Sequence, residues 1–188
     1  MQTETLLDKA IILAVHKHSG TKRKGKEFAY IVHPMEAVAI VATMTSDEEV
    51  LAAAVLHDVV EDTDVTLEDI ERDFGKRVAK LVDNESEKPI IGRSEEETWH
   101  ERKLAVFARL KAADRDSKMV ALADKLSNMR QIARDYAIQG DALWKVFHIH
   151  DPQEHAWHYR GLVESLSDLR GTEAFEEFSA LVERVFGK

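Results

Sequence analysis

The chain has no cysteine. Disulfides, zinc-thiolate centres and cysteine nucleophiles are therefore excluded. A metal could be held only by His, Asp, Glu or backbone oxygen. Proline (3) and glycine (8) are scarce across 188 residues, so little interrupts a helix. No apolar run approaches the ~20 residues that cross a bilayer. A basic excess is also missing. Lys and Arg number 26 against 35 Asp and Glu, a formal charge of −9. That argues against a general nucleic-acid binder or anionic-membrane binder, while leaving room for one local basic pocket. The opening "MQTETLLDKAIILAVHKHSG" has no basic leader and no cleavage site, so a cytoplasmic protein is expected.

What is present is helical periodicity, in a chain 44% hydrophobic and 32% charged. Alternating strand patterns are rare, and the sequence predicts an all-α, compact multi-helix bundle. The length suits one domain, with a motif-bearing core over about 3–136 and covering helices over about 141–188. The first helix is expected over 3–18, followed by the basic loop "SGTKRKGKEF". Pro34 suits the first turn of a helix running to about 44. Ser46 to Glu49 reads as a capping box, and Thr66 to Asp69 as another. Short helices should end near Gly75 and Val82, and residues 84–98 read as a polar loop or lid. Longer helices are expected over 97–113 and 116–136.

The chemistry concentrates in "LHDVVEDT", residues 56–63. It directly follows the apolar run Val50 to Val55, yet carries His57, Asp58, Glu61 and Asp62. On a helix the step is about 100°, which puts Glu61 about 40°, Asp58 about 100° and Asp62 about 140° from His57, all on one face. Three acids crowded together raise one another's pKa, and a divalent cation removes that strain. A solvated acidic helix end is the plainer alternative, although carboxylates are unfavourable at a helix C-terminus. Two other segments supply further ligands. "YIVHPMEAV" places His33 before a proline-started helix, and "VALADKLSNMRQI" places Asp124 in an apolar stretch with Asn128 one turn on. Taken singly, His33 reads as a packing histidine and Asp124 as a salt-bridged residue. Taken together, His33, His57, Asp58 and Asp124 make a two-histidine, two-carboxylate set that suits Mn²⁺, Fe²⁺ or Zn²⁺, with ligand type favouring Mn²⁺.

The segments "RKGKEFAYIVHP" (23–34), "AAVLHDVVEDT" (53–63) and "VALADKLSNMR" (120–130) together resemble the HD-domain phosphohydrolases. The likeness is closest to the hydrolase domain of RelA/SpoT-type proteins and the small alarmone hydrolases. It runs from the first helix to about residue 135. The resemblance implies an all-α fold and hydrolysis of the 3′-pyrophosphate of (p)ppGpp to GDP or GTP plus pyrophosphate, usually with Mn²⁺. It implies that His33, His57, Asp58 and Asp124 hold the metal and that Glu61 and Asp62 activate or orient water. Arg23, Lys24 and Asn128 would contact substrate, with Lys88 in the place of a further substrate-binding lysine. The physics is compatible, since Arg grips phosphate bidentately and Lys as a point charge.

This chain also departs from the resemblance. "NESEK" stands where a V-T-D-D-K-like pattern is expected, and Ser127 where histidine or tyrosine is usual. The spacing from Arg23 to His33 also differs from the usual bacterial one. These changes fall near substrate contacts, so an HD-type phosphatase on another nucleotide, such as NADPH, stays open, as does a non-catalytic nucleotide-binding module. The partner is in each case a small phosphorylated nucleotide. The C-terminal "LWKVFHIHDPQEHAWHYRGL" adds His148, His150, His155 and His158. His155 and His158 lie one helical turn apart, a spacing open to metal but better suited to structural or pocket-wall roles.

Overall fold

Side-chain caps set where the helices begin. The computed structural model describes residues 4–87 and 90–187. Thr5 accepts from the Asp8 amide and Asp8 returns the bond, opening α1 at Leu6–Lys17. The Thr5 cap starts the helix at Leu6, later than the expected residue 3, and it ends at Lys17, one residue short of the expected end. Helix α2 spans Val32–Val41, with Pro34 in its first turn. Helix α3, Glu48–Leu56, is capped by Asp47 rather than by the expected Ser46 box. The Asp47 carboxylate accepts from the Glu49 amide at 3.0 Å, and an anion is the better partner for the positive end of the helix.

The single helix expected through 56–62 does not form. The chain breaks at His57 and Asp58, and α4 holds only Val59–Asp62. On a continuous helix adjacent side chains diverge by about 100°. The break lets His57 and Asp58 turn toward one point. Thr66 makes the expected capping box for α5, Leu67–Phe74, and α6 follows as Lys76–Asp83. Between them Gly75 sits at φ +93°, a left-handed conformation that favours glycine.

Helix α7, Glu95–Ala112, starts two residues earlier than expected because Ser94 and Glu97 form a third reciprocal capping box. Helix α8, Arg115–Gln139, is the longest, and α9 (Pro152–Ser165) and α10 (Glu173–Phe186) follow with short 3₁₀ turns before each. The all-α expectation holds. Among the described residues there is no strand, only an isolated antiparallel bridge between Lys22 and Ala29.

Helix α8 is apolar around most of its circumference, with Met119 to Ala123, Leu126 and Met129 buried, so it must be surrounded. It packs against α2, α3 and α10. Helix α3 is likewise buried on all sides, and Ala52, Ala53 and Ala54 let α1, α2 and α6 come close. The three segments that carry the chemistry, on α2, the α3–α4 break and α8, are therefore neighbours. Helix α7 packs on α9, and Gly161 makes that approach possible. A Cβ built there would lie 2.4 Å from Phe107 Cζ.

Candidate metal centre

The basic loop is a tight hairpin. The Arg23 amide donates to the Phe28 carbonyl and the Tyr30 amide to the Thr21 carbonyl, with Gly25 at φ +70° in the turn. This pins Arg23 over the Tyr30 ring, 5.3 Å from its centroid, and sets Tyr30 to donate to Asp58 Oδ2.

His33, His57 and Asp58 present ligand atoms within 4.8 Å of one another. Among the described residues this is the one such group. Asp124 adjoins it, with Oδ1 3.0 Å from His33 Nε2 and 3.7 Å from His57 Nε2. Asp58 Oδ2 is 2.9 Å from His57 Nε2 and 3.5 Å from His33 Nε2. All four expected metal residues therefore converge.

The second contacts of the imidazoles define what the cluster suits. His57 Nδ1 donates to the Ala54 carbonyl at 2.8 Å, so in the neutral ring Nε2 keeps its lone pair. His33 Nδ1 meets Ser127 Oγ at 2.8 Å, and that hydroxyl donates onward to Glu36 at 2.7 Å. Ser127 must then accept from His33, which again leaves Nε2 bare. The two Nε2 atoms face each other at 3.2 Å, flanked by two carboxylates. Two neutral rings repel through their lone pairs at that distance unless a proton or a metal cation lies between them. The donor set fits a divalent metal with hard-to-borderline preferences.

Burial opposes charge on both His57 and Asp58, but each outweighs it for the other. The carboxylates raise the His57 pKa well above the ordinary imidazole value, and the His57 charge holds Asp58 well below the usual carboxylate range. A divalent cation bound there would take the place of the His57 proton. Burial also opposes ionised Asp124, and the Lys125 ammonium with the two imidazoles outweighs it. Asn128 donates to Asp124 Oδ1 at 2.7 Å and in turn accepts from Arg23.

Glu61 and Asp62 stand outside the ligand group and line an adjoining cavity of about 490 Å³ with Ser86, Thr98 and Arg102. Burial, then the Asp58 charge, pushes both carboxyls up. Lys24 lines two cavities beside the centre, one shared with Arg23 and Asn128 and one with Arg102 and Lys103. Lys88 lies outside the described residues.

Several participants escaped the sequence reading. Tyr30 and Glu36 each lie three residues from His33, a helical-turn spacing that was legible. Ser127, one turn from Asp124, was noticed only as a departure. The 84–98 segment is not wholly an exposed loop. Glu85 is buried with its side chain 5% exposed, 3.8 Å from Lys125, and burial raises its pKa to about 7. Glu87 pairs with Arg102 and Lys103, and Arg109 donates to the Ser86 carbonyl, which straps this segment onto α7. His155 donates to the Ile149 carbonyl and stacks on Trp144, while His158 stacks on Phe107. His155 packs α9 against the turn around Trp144 and Phe147, His158 packs it against α7, and the two do not meet as a metal pair.

The HD-domain family profile matches residues 10–152. The chain belongs to the HD-domain family. Among curated relatives, this HD domain is 36% identical over 126 residues to a guanosine-3′,5′-bis(diphosphate) 3′-pyrophosphohydrolase of Aquifex aeolicus, covering 67% of this chain and 18% of that one. It is 39% identical over 129 residues to the protein of the same name from Vibrio cholerae, again covering 67% and 18%. The chain thus spans less than a fifth of the length of these relatives. Among solved structures, a metazoan ortholog of SpoT described as hydrolysing ppGpp superposes with a TM-score of 0.73 at 27% identity, over 98% of this chain and 97% of that one. A Listeria monocytogenes protein gives a TM-score of 0.72 at 29% identity, over 89% and 100%. No helix among the described residues is long and apolar enough to cross a membrane.

Proposed function

We propose that this HD domain is a metal-dependent pyrophosphohydrolase that removes the 3′-pyrophosphate of (p)ppGpp, releasing pyrophosphate and GDP or GTP. The whole chain would work as one HD-type unit on a small nucleotide in the cytoplasm, with no nucleic-acid or membrane partner. The carrying observation is the pair of imidazole Nε2 atoms, 3.2 Å apart beside Asp58 and Asp124. Likeness along nearly its full length to the metazoan ppGpp hydrolase supports the choice of substrate.

His33, His57, Asp58 and Asp124 are the proposed ligands, and Mn²⁺ the proposed ion. When bound, a divalent cation lowers the pKa of water and draws charge from a phosphate oxygen. Glu61 and Asp62, whose carboxyls are raised by burial and by Asp58, are placed to take the proton that an attacking water gives up. Arg23 is proposed to pair with phosphate charge, held in position by Asn128 and by Gln131 at 3.2 Å. Asn128 links that arginine to Asp124, so the phosphate grip and the ligand set are braced together. Lys24 adds a point charge to the wall of the cavity it shares with Arg23 and Asn128. Lys88 is retained as a further substrate contact on the family resemblance alone.

The test is a product assay on protein stripped of metal and reloaded with Mn²⁺. Equimolar GDP and pyrophosphate from ppGpp, lost in Asp58→Ala with the helical signal kept, is the expected result. Orthophosphate from NADPH without turnover of ppGpp would replace this reading with a phosphatase. Tight nucleotide binding without turnover under Mn²⁺, Fe²⁺ and Zn²⁺ would replace it with a binding module.

A further inference from the structure

A cavity of about 330 Å³ opens beside the metal cluster. Asn128 joins the two, since it lines the cavity and donates to Asp124. Part of the wall suits the face of an aromatic ring, with Ile132, Leu143, Phe147 and Tyr159 lining it. The other part is polar. Gln131, Asp135 and Gln139 follow one another at four-residue spacing along α8, share one face of that helix and line the same cavity. Asp135 is the anionic member of this row. Its residue is only 8% exposed, and Lys26 of the basic hairpin donates to Oδ1. A carboxylate offers about four lone-pair positions and no donor. One hydrogen bond from Lys26 leaves most of that accepting capacity available to a ligand.

The geometry points to Asp135 as the residue that reads the base of the nucleotide, accepting the N1–H and N2–H donors of a guanine. This rests on the proposed function only for placing a nucleotide in this site. Guanine presents two adjacent donors on that edge, and a carboxylate meets them with two acceptors. Adenine presents the N1 acceptor beside its amino group, so the carboxylate would face N1 lone pair to lone pair. Sites built to satisfy a particular hydrogen-bonding edge reject an analogue that leaves their buried polar groups unpaired. An asparagine at 135 reverses part of this logic, because its amide donates as well as accepts and pairs well with adenine. The competing role for Asp135 is purely to anchor Lys26 and hold the hairpin. A variant at Lys26 separates the two, since it removes the anchor and keeps the carboxylate.

The experiment is calorimetric titration of the full Mn²⁺-loaded chain with GDP and with ADP, for wild type, Asp135→Asn and Lys26→Met. Turnover of ppGpp by wild type is measured in parallel. Wild type is expected to prefer GDP by about tenfold or more. Asp135→Asn should lose or invert that preference, and Lys26→Met should keep it even where both affinities fall. If Asp135→Asn does not hold its helical signal, Asp135→Ser is read in its place and should also lose the preference. Equal binding of GDP and ADP by wild type, no binding of either, or a preference for ADP overturns the proposal. So does a GDP preference that survives loss of the carboxylate, or one lost equally in Lys26→Met. A GDP preference that behaves as expected, without ppGpp hydrolysis, would sink the proposed substrate and leave the role of Asp135 standing.

Discussion

The Nε2 atoms of His33 and His57 stand 3.2 Å apart, and each ring is held from behind at Nδ1, His33 by Ser127 and His57 by the Ala54 carbonyl. The rings meet nearly edge to face, at 80°. Both rings are oriented by partners behind the cluster, so in their neutral forms the Nε2 lone pairs point at a common position without rearrangement. Such outer contacts orient ligands and raise their basicity. The break between α3 and α4 adds Asp58 to the same position, and α8 delivers Asp124 from the other side.

Ser127→Ala should weaken the centre while leaving the helices intact. The hydroxyl accepts from His33 and donates to Glu36, so its loss frees the ring to choose its tautomer and leaves the partly buried Glu36 carboxylate with only Arg130 among the described residues. Loss of an outer-shell partner lowers metal affinity by about 10- to 100-fold. Titration of the stripped protein with Mn²⁺ measures this. Unchanged affinity would mean that the serine only fills space.

Gly161→Ala should destabilise the chain through packing alone. The added Cβ would sit 2.4 Å from Phe107 Cζ, so α9 and α7 must separate or Phe107 must leave its rotamer. Overpacking of this kind costs about 1–3 kcal/mol. Urea unfolding should show a lower midpoint with an unchanged slope. A midpoint equal to that of wild type would mean that the two helices part freely.

Stability should carry an acid-sensitive component from His158. Burial, with a smaller contribution from the Lys103 charge, holds its pKa well below the ordinary 6.5, so the folded ring stays neutral. In the unfolded chain the ring binds a proton once the pH drops below that ordinary value. The unfolded state then holds more protons, and stability falls with pH. The contribution is complete above about pH 6.5 and is lost as the pH falls from there toward the depressed folded value. His158→Phe can keep an aromatic ring against Phe107 and removes the titration. The difference in unfolding midpoint between about pH 7.5 and 5.5 should be smaller in the variant than in wild type. Equal differences would show that His158 becomes protonated without unfolding.

Much of the site was legible because its signals are local. His57 and Asp58 are adjacent in the chain, Asp124 interrupts an apolar helix, and Thr66 to Asp69 is a capping box in both the sequence and the fold. The misplaced boundaries have local causes too. Asp47 outcompetes Ser46 as a cap because it is anionic, and the Ser94–Glu97 box was hidden in a polar stretch with no apolar stripe. The continuous helix through 56–62 was misread for another reason. Helical propensity does not register a break at which two neighbouring side chains converge on groups from distant helices.

By itself, the sequence determined the helical class, the absence of thiolate chemistry and the kinds of ligand available, since composition and periodicity settle these within a few turns. Only the tertiary structure decided the hydrogen bonding of the His33 ring, the burial of Glu85 beside Lys125, and the pairing of Lys26 with Asp135. Each of those depends on groups far apart in the chain. His33 and Ser127 are 94 residues apart, and Lys26 and Asp135 are 109 apart. A proton position or a cavity wall exists only once packing has brought such pairs within hydrogen-bonding distance, and local pattern carries no record of that distance.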